Sequence, residues 1–138
     1  MKVDQLEVRI YDTRLQMGEA AAKEVATKIR ELQDIQEQIN IIFASAPSQN
    51  EFLDVLSQEP GLSWNKVNAF HMDEYVGIAE DAPQNFGHFL KVRLFDKVGC
   101  NNTFYLNGNN DDLVEECNLY SNLLTQYPTD IVCMGIGE

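Results

Sequence analysis

A chain of 138 residues amounts to about one domain, and 44% hydrophobic with 23% charged residues is enough to build a core, which excludes a disordered or fibrous protein. Ten Lys and Arg stand against 22 Asp and Glu, so the net charge of −12 repels phosphate backbones and anionic lipid, and neither nucleic acid nor membrane is expected as a partner. An anionic ligand would have to be held by backbone N–H groups and a few placed cations.

Residues Leu6 to Ile10 alternate as a short strand that Tyr11-Asp12-Thr13 ends. Thr13 followed by Gln16 fits a capping box. Behind it Leu15, Gly18, Ala22, Val25, Ile29 and Leu32 recur at steps of three and four, the stripe of an amphipathic helix running to Gln36 or Gln38. Ile39 to Ala44 is a buried strand feeding the polar segment Ser45-Ala46-Pro47-Ser48-Gln49, and Asn50 to Leu56 is a helix. After the Pro60-Gly61 turn, with Trp64 packed at the strand's entrance, Val67 to Met72 forms a strand that stops at Asp73-Glu74-Tyr75-Val76-Gly77.

Asn85 caps a helix carrying Phe86, Phe89, Leu90, Leu94, Phe95 and Val98. Thr103 to Leu106 is a short strand closed by Asn107-Gly108. Asp111 and Asp112 favour a helix start, with Leu113, Cys117, Tyr120 and Leu124 on one face behind them. Asp130 to Met134 is a last strand running into Gly135-Ile136-Gly137-Glu138.

Strands alternating with helices imply an α/β fold: a three-layer, mainly parallel open sheet with helices on both faces, Rossmann-like, in one domain over residues 1–138. In such sheets ligands sit beyond the carboxyl ends of the strands, so the ends after Ala44, Met72 and Met134 should converge on one side. The sequence stops there without the helix that should cross back over the sheet, and the expectation is a truncated fold. An open sheet left half covered would favour a homo-oligomer or another partner chain.

Asp4 and Glu7 interrupt any secretory signal, and no segment reaches the roughly 20 apolar residues of a membrane span, so a cytoplasmic location is expected. Cys100, Cys117 and Cys133 are odd in number and widely spaced, and are expected to be buried free thiols. No His, Cys and carboxylate group has ligand spacing, so neither metal nor cofactor is expected.

Asp73-Glu74 is the most suggestive pair, because a carboxylate at a strand's carboxyl end can serve as a base. Adjacent residues of an extended strand point to opposite faces, which makes Asp73 the candidate and leaves Glu74 to organise the site from behind. Ser45 to Ser48 could present hydroxyls and N–H groups to a phosphate, although Ser48 could equally be a plain helix cap. His71 is expected to be a hydrogen-bonded structural residue, and Tyr75 a ligand contact or a lid residue.

Ala69-Phe70-His71-Met72-Asp73-Glu74-Tyr75-Val76-Gly77 strongly resembles the signature segment of glucosamine-6-phosphate deaminases, amino-sugar isomerases related to 6-phosphogluconolactonases. Tyr105-Leu106-Asn107-Gly108-Asn109 and Met134-Gly135-Ile136-Gly137-Glu138 follow in the same order. The resemblance covers about the first half of a family member; the catalytic histidine and the main phosphate-binding Arg and Lys would lie past residue 138. It implies that Asp73 shuttles a proton between C1 and C2 of an open-chain amino sugar phosphate. The resulting imine of fructose 6-phosphate is then hydrolysed to release ammonia. It also implies that Ser45, Ala46, Pro47 and Ser48 form the phosphate loop, that Tyr75 lies close to the site, and that Glu138 precedes an acid that assists ring opening.

Two departures matter. Ala46-Pro47 stands where deaminases usually carry Gly-Gly, and proline removes an N–H. Tyr75 stands where lactonases usually carry arginine. The expected function is therefore conversion of glucosamine 6-phosphate and water to fructose 6-phosphate and ammonia, without turnover by these 138 residues alone. A non-catalytic sugar-phosphate sensor and a lactone hydrolase are the alternatives.

Overall fold

The computed structural model describes residues 2–136. A two-stranded antiparallel hairpin, β1 (Lys2–Val3) and β2 (Leu6–Glu7), comes first and stays outside the main sheet. Its turn places Asp4 at φ 52°, the one non-glycine residue with positive φ among those described. The strand expected over Leu6 to Ile10 is therefore reduced to two residues. Leu6 and Ile10 remain exposed because no layer covers them.

α1 (Arg14–Gln33) begins where the sequence predicts it, with the Thr13 hydroxyl accepting from the Gln16 N–H at 3.2 Å. It ends three or more residues earlier than the periodicity suggests. Gly18, Ala22, Ala26 and Ile29 form its buried line, and the small residues among them let α2 (Asn50–Leu56) lie close. A Cβ added at Gly18 would stand 2.7 Å from the Glu51 Cβ.

The main sheet consists of β3 (Ile39–Phe43), β4 (Val67–His71), β5 (Asn102–Phe104) and β6 (Ile131–Cys133), all parallel, in the order β5–β4–β3–β6. β5 starts and ends earlier than the expected Thr103 to Leu106, since Tyr105 and Leu106 already belong to the loop beyond it. One face carries Ile39, Ile41, Phe43, Val67, Ala69 and Cys133 against α1, α2 and the helical stretch of α3 (Phe86–Leu90), a π turn at Lys91–Phe95, and α4 (Asp96–Val98). α5 (Leu113–Gln126) covers part of the other face, where Phe70 packs on Phe104 and Tyr120. The result is the α/β three-layer arrangement with helices on both faces.

α5 contributes less than its apolar stripe suggests: Tyr120 is its buried residue, and Leu113, Leu119 and Cys117 are exposed. The expectation of three buried thiols is thus corrected: Cys117 is exposed, and the contacts described between α5 and the sheet run through Tyr120 to His71, Phe70 and Phe104. Cys133 is buried, which pushes its thiol pKa up to about 12, and Cys100 is half-buried.

An asparagine ladder crosses three strands near their amino ends. In register, Asn68 Nδ2 donates to Asn40 Oδ1 at 2.9 Å, and Asn102 Nδ2 donates to Asn68 Oδ1 at 2.8 Å. Asn68 is wholly buried, so its amide must find these partners or leave polar atoms stranded. Asn68→Ala is expected to lower unfolding free energy by about 2 kcal/mol, the scale of stranding a buried amide partner. Denaturant unfolding measures it, and a change near zero would contradict the ladder's role.

Candidate active site

The parallel register decides where the candidate residues emerge. Phe43 pairs with both His71 and Cys133, so the chains following β3, β4 and β6 leave the sheet at the same level and on the same side. Counting two residues on from the Phe43–His71 pair brings out Ser45 and Asp73 from neighbouring strands. Strands lie about 4.8 Å apart, so those two segments start as neighbours. Ala44 donates its N–H to the Cys133 carbonyl at 2.9 Å, which ties the third end to the first. A Cβ at Gly135 would lie 3.8 Å from Ser48 Oγ and 3.5 Å from Gln49 Nε2, so the loop after β6 passes beside the loop after β3.

Ser45, Ala46, Pro47 and Ser48 run from the end of β3 into a 3-10 turn at Pro47–Gln49. Ser48 is not the helix cap: α2 is preceded by Gln49 with no side-chain cap, and Ser48 Oγ accepts from Gln49 Nε2 at 3.3 Å. Ser45 Oγ and Asn50 Oδ1 are buried without a hydrogen-bond partner among the described residues. Buried polar atoms are nearly always paired, so this loop carries unused hydrogen-bonding capacity.

Asp73 is exposed at the end of β4, and Glu74 turns the other way. The Glu74 carboxylate accepts three backbone N–H groups, those of Tyr75, Phe86 and Gly87, each at 2.9 Å. It thereby fastens the segment behind Asp73 to the start of α3, where the Asn85 side chain also caps. Glu74→Gln leaves one oxygen for three donors and is expected to cost about 2 kcal/mol of stability, since hydrogen bonds to a charged acceptor carry more than neutral ones. Denaturant midpoints read this out; an unchanged midpoint would contradict it. Tyr75 is exposed and its ring stacks on Phe86 with centroids 4.7 Å apart.

A brace that the sequence reading did not assign holds this segment from the other side. Gly77 donates its N–H to the Gly108 carbonyl at 3.0 Å, and Asn109 Nδ2 donates to the Ile78 carbonyl at 2.8 Å. Gly108 lies so close that a Cβ there would be 2.0 Å from the Tyr75 carbonyl oxygen. The Asn107-Gly108 pair was legible as a turn, but its partner across space was not.

His71 completes the brace. Its Nε2 accepts the Leu106 N–H at 2.7 Å, while Tyr120 Oη takes the His71 N–H at 3.1 Å and donates to the His71 carbonyl at 2.8 Å. This is the structural role expected of it. An accepting Nε2 places the neutral ring's proton on Nδ1, which is buried without a partner among the described residues. Burial holds the His71 pKa below its ordinary 6.5, and the nearby charges of Glu74 and Asp73 oppose this only in part. The unfolded chain therefore binds the proton more readily than the folded one. Stability is full above pH 6.5 and is lost as pH falls through that value toward the lowered folded pKa. His71→Gln is expected to flatten this part of the stability–pH curve; an identical slope in the variant would contradict the assignment.

Two cavities flank the strand ends. One of about 260 Å³ lies among Glu74, Asn85, His88, Lys91 and the Tyr105–Asn109 loop. The other, about 280 Å³, lies between α1, Ser48, Gln49, Phe52 and the end of β6. Asp73 lines neither, and its side chain is exposed. Gly137 and Glu138 lie outside the described residues. Among the described residues no cluster of three or more His, Cys, Asp or Glu could hold a metal ion, and no helix is long and apolar enough to cross a membrane.

The glucosamine-6-phosphate deaminase of Streptococcus suis (strain 05ZYH33) is 33% identical over 95 residues, 69% of this chain and 40% of that protein. That of Bacillus cytotoxicus is 36% identical over 77 residues, 56% of this chain and 29% of that protein. The chain thus spans well under half the length of these curated relatives. A solved monomeric glucosamine-6-phosphate deaminase superposes with a TM-score of 0.86 at 27% identity, over 96% of this chain and 56% of that one. A 6-phosphogluconolactonase from Shewanella baltica OS155 superposes with a TM-score of 0.80 over 92% of this chain and 55% of that one, but at 17% identity it speaks to the fold alone. The family described as glucosamine-6-phosphate isomerases/6-phosphogluconolactonase matches residues 12–138, almost the entire chain, and the chain belongs to that family.

Proposed function

We propose that this chain supplies the proton-transfer carboxylate and the phosphate loop of an amino-sugar-phosphate isomerase and deaminase acting on glucosamine 6-phosphate. The observation that supports the reading is the Phe43–His71 register, since Ser45 and Asp73 each come two residues after that pair on the chains leaving adjacent strands. Asp73 takes the C2 proton of the open-chain sugar and returns it at C1, converting the amino aldose through an enolamine to the imine of fructose 6-phosphate. Water then adds to the imine carbon, and ammonia leaves. One carboxylate can serve both carbons when it lies over one face of the planar intermediate.

In this reading the hydroxyls of Ser45 and Ser48, with the backbone of Ala46 and Pro47, hold the phosphate. Glu74 positions Asp73 through the three N–H groups it gathers, and Tyr75 forms the lip of the site beside Phe86. Glu138 belongs to the same site by resemblance. Identities of 33% and 36% to deaminases support the deaminase over the lactonase chemistry.

The test is ammonia release from glucosamine 6-phosphate set against hydrolysis of 6-phosphogluconolactone, in the protein that carries this chain. Ammonia release is expected. Lactone hydrolysis without ammonia would overturn the assignment, and binding of the sugar phosphate with neither reaction would make the protein a sensor.

A further inference from the structure

Pro47 alters the donor inventory of the loop after β3. Proline has no N–H. The N–H groups of Gln49 and Asn50 are committed within the turn, to the carbonyls of Ala46 and Pro47. The donor that the 3-10 turn itself still offers is the N–H of Ser48. Its direction is set by the Pro47–Ser48 peptide, because the carbonyl and N–H of a trans peptide point to opposite sides, and no cis peptide occurs among the described residues.

Arg14 holds that peptide. It stands in the first turn of α1, one turn before the close contact of Gly18 with Glu51, and so reaches the loop from the α1 side. Its Nη2 donates to the Pro47 carbonyl at 2.9 Å and to Glu51 Oε2 at 2.9 Å. The Pro47 carbonyl thus accepts both the Asn50 N–H of the turn and Arg14, and held by the two it leaves the Ser48 N–H facing the opposite way. The Glu51 carboxylate offsets the guanidinium charge, so the arginine acts through the peptide it orients and not as a bare cation near the ligand.

We propose that Arg14 is a positioning residue for the phosphate subsite: by gripping the Pro47 carbonyl it aims the Ser48 N–H at the anion, in place of the donor that Pro47 cannot supply. This rests on reading Ser45 to Ser48 as the phosphate loop. It also answers the constraint set by the net charge of −12, since an anion approaching such a surface must be met by donors already aimed.

The test is calorimetric titration of the protein that carries this chain with inorganic phosphate and with glucosamine 6-phosphate, while NMR follows the Ser48 amide. Arg14→Ala is expected to weaken both ligands about tenfold, the value of one lost hydrogen bond to a charged group, and to suppress the ligand-induced Ser48 shift. Arg14→Lys, which keeps a donor but not the fork, should fall between the two, and it carries the test if Arg14→Ala does not fold. Glu51→Gln should leave affinity within about twofold, because the grip on Pro47 remains.

Unchanged affinity and an unchanged Ser48 shift in both arginine variants would overturn the inference and leave the phosphate loop standing. A loss in Glu51→Gln as large as in Arg14→Ala would overturn it too, by assigning the effect to the ion pair. If neither ligand moves the Ser48 amide of the unaltered protein, the phosphate-loop reading falls and the inference falls with it.

Discussion

Asp73→Asn is expected to slow deuterium exchange at C2 of the sugar phosphate by about 10³-fold while altering its affinity by no more than a few-fold, the signature of a lost general base. Asparagine matches aspartate in size and keeps an acceptor oxygen, but it cannot take up and return the proton. The interactions that bind the ground state therefore survive, and the one that forms only as the proton moves does not. Asp73 is suited to the substitution because it is exposed, so the change should not disturb folding. The contrast with Glu74→Gln is informative: that carboxylate is fully engaged with backbone N–H groups, and its loss should act through stability and through the placement of Asp73. Exchange at the wild-type rate in Asp73→Asn, followed by NMR in deuterated water in the protein that carries this chain, would contradict its role.

Gly108→Ala should have the largest effect on stability. The usual arithmetic for glycine concerns backbone freedom, yet Gly108 is not among the glycines with positive φ, so alanine is conformationally allowed there. The obstacle is space. A methyl carbon 2.0 Å from the Tyr75 carbonyl oxygen cannot be accommodated by a side-chain rotation, because the obstructing atom is backbone. Either the Tyr75–Gly77 segment or the Asn107–Asn109 turn must move, breaking the Gly77 to Gly108 hydrogen bond. A cost of about 3 kcal/mol follows from overpacking of this kind. Denaturant unfolding gives the loss, and amide exchange should show Gly77 and Leu106 losing protection while the ladder near Asn68 keeps its own. A variant with wild-type stability and an intact Gly77 amide would show that the brace is not as tight as the geometry requires.

Some elements were legible because one local rule governed them. Ile39–Phe43 and Val67–His71 are short apolar runs buried on both faces, and parallel central strands have that composition. Thr13 and Asn85 do what their positions suggest, because a cap is a contact between near neighbours in sequence. The N-terminal strand was over-read since alternation over five residues takes no account of whether a partner strand exists; only Leu6–Glu7 found one. The stripe on α5 was over-read for a related reason. Periodicity reports which residues share a face, not whether anything covers it, and among the described residues Cys117 and Leu113 stay exposed.

The candidate site shows the same division. Asp73 and the serines could be chosen from their place at strand ends. The partners that fix them could not, because Glu74 reaches 13 residues to Gly87, His71 reaches 35 to Leu106, and Arg14 reaches 33 to Pro47. Contacts at such separations are set by topology and leave no local trace. The Asn107-Gly108 turn came nearest to a signal: a glycine in a turn also permits close approach, and here it is the approach to Tyr75 that the fold uses.

Amide chemical-shift mapping of the protein that carries this chain, titrated with glucosamine 6-phosphate, decides whether the two loops meet one ligand. Saturable shifts are expected to cluster at Ser45–Ser48 and at Asp73–Tyr75 together, the two segments that follow the paired ends of β3 and β4. Shifts confined to the cavity among Asn85, His88 and Lys91, with the Ser45–Ser48 amides unmoved, would contradict it.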